Sequence, residues 1–237
     1  LGDGAADADI DVLRLAVDSA RVAYDTEARR VSAARRKAAP KLAEAVTRSM
    51  QQLGMAGGRF DVALASADAP QSFGAESAEF LVAGHAGATP RPLGKVASGG
   101  ELSRIALSVA VVTSENDSGE DAPGTLIFDE VDAGIGGAVA ETVGRLLKQL
   151  GRDRQVLAVT HLPQVAACAD RHFVVAKQAG EGGARSSVDA VAGEARTAEI
   201  ARMLGGEKLS STSLAHAEEM LASSAEVRAT APGKTQP

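Results

Sequence analysis

The chain has 237 residues, of which 45% are hydrophobic and 24% charged, with a formal net charge of −6. This is the composition of a globular protein long enough to bury one ordinary domain plus an appendage. It excludes a general attraction to nucleic acid or anionic membrane, so any DNA contact needs a local basic patch.

Residues 1 to about 8 are small and acidic and read as disordered. From Ile10 an apolar stripe runs through Leu13, Val17, Ala20, Tyr24, Ala28, Val31, Ala34 and Ala38 in steps of three and four. That is the spacing of a helix with one buried seam. Pro40 is expected to interrupt or kink it, after which Leu42, Val46, Met50 and Leu53 continue to Gly54, a C-cap. A helix of this length needs a partner helix, and none of similar length follows. Its cluster Arg29, Arg30, Arg35, Arg36 and Lys37 is either a contact for the phosphate backbone of DNA or a solvated coiled-coil face.

Gly54 to Gly58 reads as a linker, Phe60 to Leu64 and Phe80 to Val82 as strands, and 84 to 94 as a Gly- and Pro-rich loop. Ser98 and Glu101 have capping-box spacing, so a helix is expected to start there and run to about Val112. Gly99 and Gly100 occupy its first turn against helix propensity, leaving exposed N–H groups where an anion such as phosphate binds. A polar loop over 114 to 124 leads to Thr125-Leu126-Ile127-Phe128, a run that suits an interior strand of a parallel sheet. It ends in Asp129, Glu130 and Asp132. Ligands in open α/β sheets bind beyond the carboxyl ends of strands, and adjacent carboxylates there suit a cation or a reacting water. The alternative is a strand that ends in solvent.

A helix to about Leu150 follows, then a short strand from Gln155 ending at Thr160-His161, so His161 and Glu130 are expected on one sheet edge. Leu162 to Ala169 reads as helix, Phe173 to Ala176 as strand, 179 to 187 as a Gly-rich turn and Ser187 to Val191 as a return strand. Two helices, Glu194 to Leu204 and Ser210 to Ala222, precede a tail that reads as disordered. The single cysteine, Cys168, excludes an internal disulfide and fits a reducing cytoplasm. No apolar run reaches the ~18 residues of a membrane span, no signal peptide is visible, and the leading Leu1 suggests a piece of a longer protein.

In this order, Ala97-Ser98-Gly99-Gly100-Glu101, Leu126 to Glu130, Val131 to Gly134 and Thr160-His161 resemble the signature, Walker B, D-loop and switch histidine of an ABC-type ATPase head. The longer strings Lys95 to Ile105, Thr125 to Ile135, Thr160 to Ala166, Ile200 to Gly206 and Ser213 to Ala217 are similar to the RecN family of SMC-like DNA repair proteins. The resemblance covers roughly residues 55 to 222, with His85 standing where the pattern has Asn. It implies an α/β fold: the C-terminal lobe of an ABC/SMC-type head, a parallel sheet flanked by helices. Residues 1–55 would end a coiled-coil arm, 56–226 form the lobe and 227–237 a disordered tail.

The same resemblance implies ATP and Mg2+ as cofactors. Asp129 would help hold Mg2+ through water, Glu130 would activate the attacking water, and His161 would hydrogen-bond the γ-phosphate. Ser98, Gly99, Gly100 and Glu101 would meet a nucleotide held by the opposite head, and Asp132 would contact that head. It further implies three partners, the protein's own N-terminal ATPase lobe, a second copy as an ATP-dependent dimer, and DNA, with a nucleoid-associated cytoplasmic location and no membrane.

A phosphate cradle G-x-x-x-x-G-K-[ST] is absent, and Gly233-Lys234-Thr235 has Arg at position 228 where its first glycine belongs. The chain alone is therefore expected not to turn over ATP. His85, His161, His172 and His216 show no metal-ligand spacing. The competing reading is a non-catalytic DNA-binding or structural coiled-coil module; a transporter subunit has no place for the long first helix.

Overall fold

A computed structural model describes residues 3–96, 98–114, 123–180, 183–206 and 209–226, with side chains described from residue 9 and not for 178–184 or 225–226. Ala97, the middle of the polar loop, part of the Gly-rich turn, the tail from 227 and the Gly233-Lys234-Thr235 string lie outside the described residues. The chain divides into two compact units, Leu1–Thr47 with Gly58–Lys95, and Arg48–Gly57 with Val96–Pro237.

The first unit is a helix and a hairpin. Helix α1 spans Asp3–Gln52, so helix replaces the disorder expected over most of the first eight residues. Pro40 lies inside α1 and does not interrupt it. It removes one hydrogen bond, and the long helix on either side carries the chain through. Ile10, Leu13 and Val17 are 45%, 65% and 64% exposed, so this half of the stripe covers nothing. Burial begins at Ala28 and then follows Ser32 rather than Ala34 and Ala38, which are exposed.

Strands β1 (Arg59–Gln71) and β2 (Gly74–Ala83) are longer than expected and pair antiparallel, and β3 (Arg91–Pro92) adds a short third strand. The hairpin explains the displaced seam. Arg35 leans out of α1 and donates to the carbonyls of Phe73 and Glu76, each at 2.8 Å, while Arg36 meets the Glu76 carboxylate at 2.6 Å. Thr47 Oγ1 accepts from Phe60 N at 2.9 Å, and Tyr24 Oη accepts from Gln71 N at 3.0 Å. Inside the hairpin the Phe60 and Phe80 rings sit 5.2 Å apart.

The second unit begins with the last turn of α1, which ends through Gly54 at φ +82°, a conformation that favours glycine. Helix α2 (Gly99–Ser114) is followed by β4 (Thr125–Phe128), α3 (Gly137–Leu150), β5 (Gln155–Ala158) and α4 (Pro163–Cys168). A hairpin of β6 (His172–Gly180) and β7 (Gly183–Val191) and helices α5 (Gly193–Gly205) and α6 (Ser211–Glu226) complete it. β7 begins four residues before Ser187, so the expected turn is tighter and the return strand longer.

β4 and β5 pair parallel, Thr125 opposite Gln155 through Phe128 opposite Ala158. Among the described residues β4 has no second neighbour, which corrects the expectation of an interior strand. Ile127 is 71% exposed and its partner Leu157 44%, because the chain covers only one face of this pair. The core lies on the other side. α3 and α4 approach closely: a Cβ on Gly144 would stand 2.8 Å from Cys168 Sγ. Ala166, Ala167, Ile200, Ala201 and Ala217 form a buried cluster where α4 meets α5 and α6. Arg196 closes the end of α4 by donating to the carbonyls of Ala166, Ala167 and Ala169 at 3.2, 3.1 and 2.6 Å. Burial of that guanidinium lowers its pKa, opposed by Asp170.

Candidate active site

The site is built where the start of α2 meets the loop after β4. Ser98 caps α2 as its spacing predicts: its hydroxyl accepts from Glu101 N at 3.3 Å and its carbonyl from Leu102 N at 3.0 Å. The two glycines behind it serve different contacts. A Cβ on Gly100 would stand 2.9 Å from Ala133 Cβ and 3.0 Å from Ala133 O, so only glycine lets α2 approach this loop. A Cβ on Gly99 would meet Glu130 Oε2 at 2.7 Å. The anion beside this helix start is therefore the chain's own carboxylate, favourably placed at the positive end of the helix.

Two side chains one helical turn further on lock the contact. Ser103 Oγ donates to Asp129 O and Arg104 Nη1 to Ala133 O, both at 2.7 Å. Arg104 is 7% exposed; burial lowers its pKa and Glu101 opposes the shift. Between those two carbonyls Glu130 adopts φ +55°, the one described non-glycine residue with positive φ. Such a conformation costs of order 1 kcal/mol or more and persists where its surroundings hold it. Ser103 and Arg104 were missed from sequence, although the helical period puts both on the face of Gly100.

Asp132 is expected against a partner head, but its carboxylate is 2% exposed and faces inward. Its Oδ2 accepts from the Thr160 hydroxyl and from His161 N at 3.1 Å, and lies 3.4 Å from His161 Nδ1. Thr160 Oγ1 also accepts from Leu162 N at 3.0 Å. One buried carboxylate thus ties the loop after β4 to the end of β5 and orients His161, whose side chain remains 71% exposed.

Asp129 and Glu130 are exposed at the end of β4. Among the described residues no group of three or more His, Cys, Asp or Glu side chains could hold a metal ion. Two free carboxylates suit Mg2+, which takes one or two protein carboxylates and completes its shell with water and substrate phosphates.

The basic cluster of α1 belongs to the first unit. Arg29 Nε donates to Asp25 O at 3.0 Å, Arg30 pairs with Glu27 at 2.8 Å, and Lys37 is exposed. Arg35 and Arg36 are engaged by the hairpin, so two of the five cations expected to meet DNA are drawn into the fold.

A capped glycine helix start laid on an Asp-Glu strand end, with a histidine just beyond the neighbouring strand, belongs to an α/β fold of one class: the C-terminal lobe of an ABC/SMC-type head. The chain is 42% identical over 207 residues to the DNA repair protein RecN of Xylella fastidiosa, covering 86% of this chain and 36% of the relative. It is 43% identical over 216 residues to RecN of Streptomyces coelicolor, covering 86% and 37%, and 44% identical over 209 residues to RecN of Mycobacterium tuberculosis, covering 81% and 35%. The chain belongs to the RecN family. It spans about a third of the length of these relatives. No family model matches it. Among solved structures it overlaps the Smc head domain with a coiled coil and joint from Pyrococcus yayanosii, at TM-score 0.48 and 22% identity, over 67% of this chain and 28% of that one. No helix among the described residues is long and apolar enough to cross a membrane.

Proposed function

We propose that this chain supplies the signature and Walker B part of an ATP-hydrolysing head that acts in DNA double-strand break repair and recombination. The observation that carries the reading is the joining of Ser98 to Gly100, Asp129 to Ala133, and Thr160-His161 through Ser103, Arg104 and Asp132. When bound, Mg2+ neutralises charge developing on the transferred phosphoryl group. Asp129 would help hold the cation. Glu130 would accept a proton from the attacking water, its backbone held between the carbonyls of Asp129 and Ala133. His161 donates to the γ-phosphate, with Asp132 as the positioning residue behind it. Ser98 and the N–H groups of Gly99 and Gly100 would stabilise phosphate of a nucleotide on a second head, and Glu101 N, which donates to the Ser98 hydroxyl, would hold that hydroxyl in place. This is catalysis by positioning and charge.

The partners in this reading are an N-terminal lobe carrying the phosphate cradle, a second copy, and DNA, in the cytoplasm at the nucleoid. The chain alone is inactive. The test is phosphate release by the chain mixed with the remaining RecN segment. Turnover in the mixture that is lost on Glu130→Gln supports the reading; turnover by the chain alone, or a Glu130→Gln mixture as active as the parent, overturns it.

A further inference from the structure

The loss of Arg35 and Arg36 to the hairpin leaves open where a protein of net charge −6 meets a polyanion. A second cationic group lies in the other unit. Arg145 and Lys148 occupy successive turns of α3, and Arg152 follows in the turn beyond it, held back over the helix end by Arg152 N donating to Gln149 O at 3.2 Å. With Gln149 and with Gln52 from the end of α1 they line a concavity of about 290 Å3. Among the described residues no carboxylate lines it, and Glu141 and Asp170 stand beside it next to Arg145 and Lys148.

The plain alternative is that these cations complement the negative end of the α3 dipole. Their contacts argue otherwise. Among the described residues none of the three side chains donates to a helix carbonyl. Arg145 donates to Thr142 Oγ1 at 3.3 Å and stands 3.7 Å from Glu141, with both side chains about half exposed. Lys148, its side chain 14% exposed, stands 3.8 Å from Asp170, and Arg152 is exposed and makes no ion pair among the described residues. The wall contributed by Gln52 comes from another element, which a helix cap does not require. The volume is about ten times a water's ~30 Å3 share of the liquid, more than one inorganic phosphate fills. The exposed cations Arg145 and Arg152, flanked by neutral amide donors and backed by Lys148, suit consecutive phosphodiesters and make no demand on base sequence.

We propose that this concavity is a docking site for the phosphodiester backbone of duplex DNA. The choice of DNA rests on the repair reading above; the site itself uses no ATP and no residue of the candidate active site. The test is fluorescence anisotropy of a labelled 30-base-pair duplex titrated with the chain between 50 and 200 mM salt. Each phosphate contact contributes about −0.9 to the slope of log affinity against log salt. Arg145→Gln/Arg152→Gln should therefore flatten the slope by about 1.8. Over this fourfold rise in salt the parent should lose about 12-fold more affinity than the variant. Arg145→Lys/Arg152→Lys should keep the parental slope, and Arg29→Gln/Arg30→Gln/Lys37→Gln should leave it unchanged.

An unchanged slope in the Gln double variant, with its circular dichroism matching the parent, overturns the proposal. So does a slope that moves only in the α1 variant, an absence of parental binding at 50 mM salt, or displacement of the duplex by millimolar inorganic phosphate, which would mark a small-anion site. Because Glu130 is intact throughout, failure here leaves the ATPase reading to its own assay.

Discussion

Replacing Asp132 by Ala tests whether one buried carboxylate joins the two strand ends. Its Oδ2 takes the Thr160 hydroxyl and His161 N–H inside a site where the side chain is 2% exposed. In Asp132→Ala the hydroxyl can turn to Leu162 O, 3.4 Å away, so its loss is small. Among the described residues the His161 N–H has no such alternative, and because it is part-buried, leaving it unsatisfied costs up to the ~1–3 kcal/mol of a buried donor. Relief of a buried charge offsets part of this, and the small void adds to it. The net expectation is a loss of about 2 kcal/mol.

Asp132→Asn keeps the shape and an acceptor oxygen, and should cost less than about 1 kcal/mol. Thr160→Val removes the donor to Asp132 and the acceptor for Leu162 N, and should cost about 2 kcal/mol. Urea unfolding of the four single and double variants at equal m-value is the assay, and Asp132→Ala with Thr160→Val should be non-additive by about 1 kcal/mol. If Asp132→Ala stays within ~0.5 kcal/mol of the parent, or the two changes simply add, the link between the strand ends is not what holds His161.

Gly99 and Gly100 should part company on substitution by Ala. At Gly100 the added methyl meets the fixed backbone of Ala133, and overpacking of about 1–3 kcal/mol should exceed the helix-propensity gain of about 1 kcal/mol in a melting experiment. At Gly99 it meets the free end of the Glu130 side chain, so stability should hold while the carboxylate is displaced and activity of the reconstituted head falls. Arg35→Ala should lower the melting temperature more than Arg36→Ala. The first loses donors to two hairpin carbonyls, while the second loses one ion-pair contact made by an arginine that is 67% exposed, and Glu76 itself stays buried. His172 has its pKa lowered by burial and then by Arg196, and its Nδ1 is buried with no partner among the described residues. A depressed folded pKa means that the neutral ring favours the fold. Its contribution is complete above the unfolded value of about 6.5 and is lost as pH falls through the lower folded value. Stability of the parent should drop over that window, and His172→Gln should flatten the drop.

The chemistry was legible where it is local. Ser98 and Glu101 announce the start of α2 by spacing alone, Gly54 the end of α1, and the run from Thr125 into Asp129 and Glu130 a strand that delivers carboxylates to its end. What was hidden depends on contacts between distant segments. The hairpin of β1 and β2 reaches back some 40 residues to draw Arg35 from the solvated face, and it moves the seam from Ala34 to Ser32. Asp132 stands in the string as one more acidic residue after a strand, and only the return of β5 puts Thr160 and His161 against it. β4 reads as interior because its residues are apolar, yet exposure of Ile127 depends on whether anything packs on its face of the sheet, which composition cannot report. Arg145, Lys148 and Arg152 are too widely spaced to read as a charge run, and the helical turn gathers them.

The central claim is that this chain carries part of a composite ATP site. Calorimetric titration of ATP·Mg2+ into the chain alone, and then into its mixture with the remaining RecN segment, tests it most directly. Saturable binding in the mixture with little or none to the chain alone is the predicted result. Tight binding to the chain alone would contradict it, because a complete nucleotide pocket would then lie within these 237 residues.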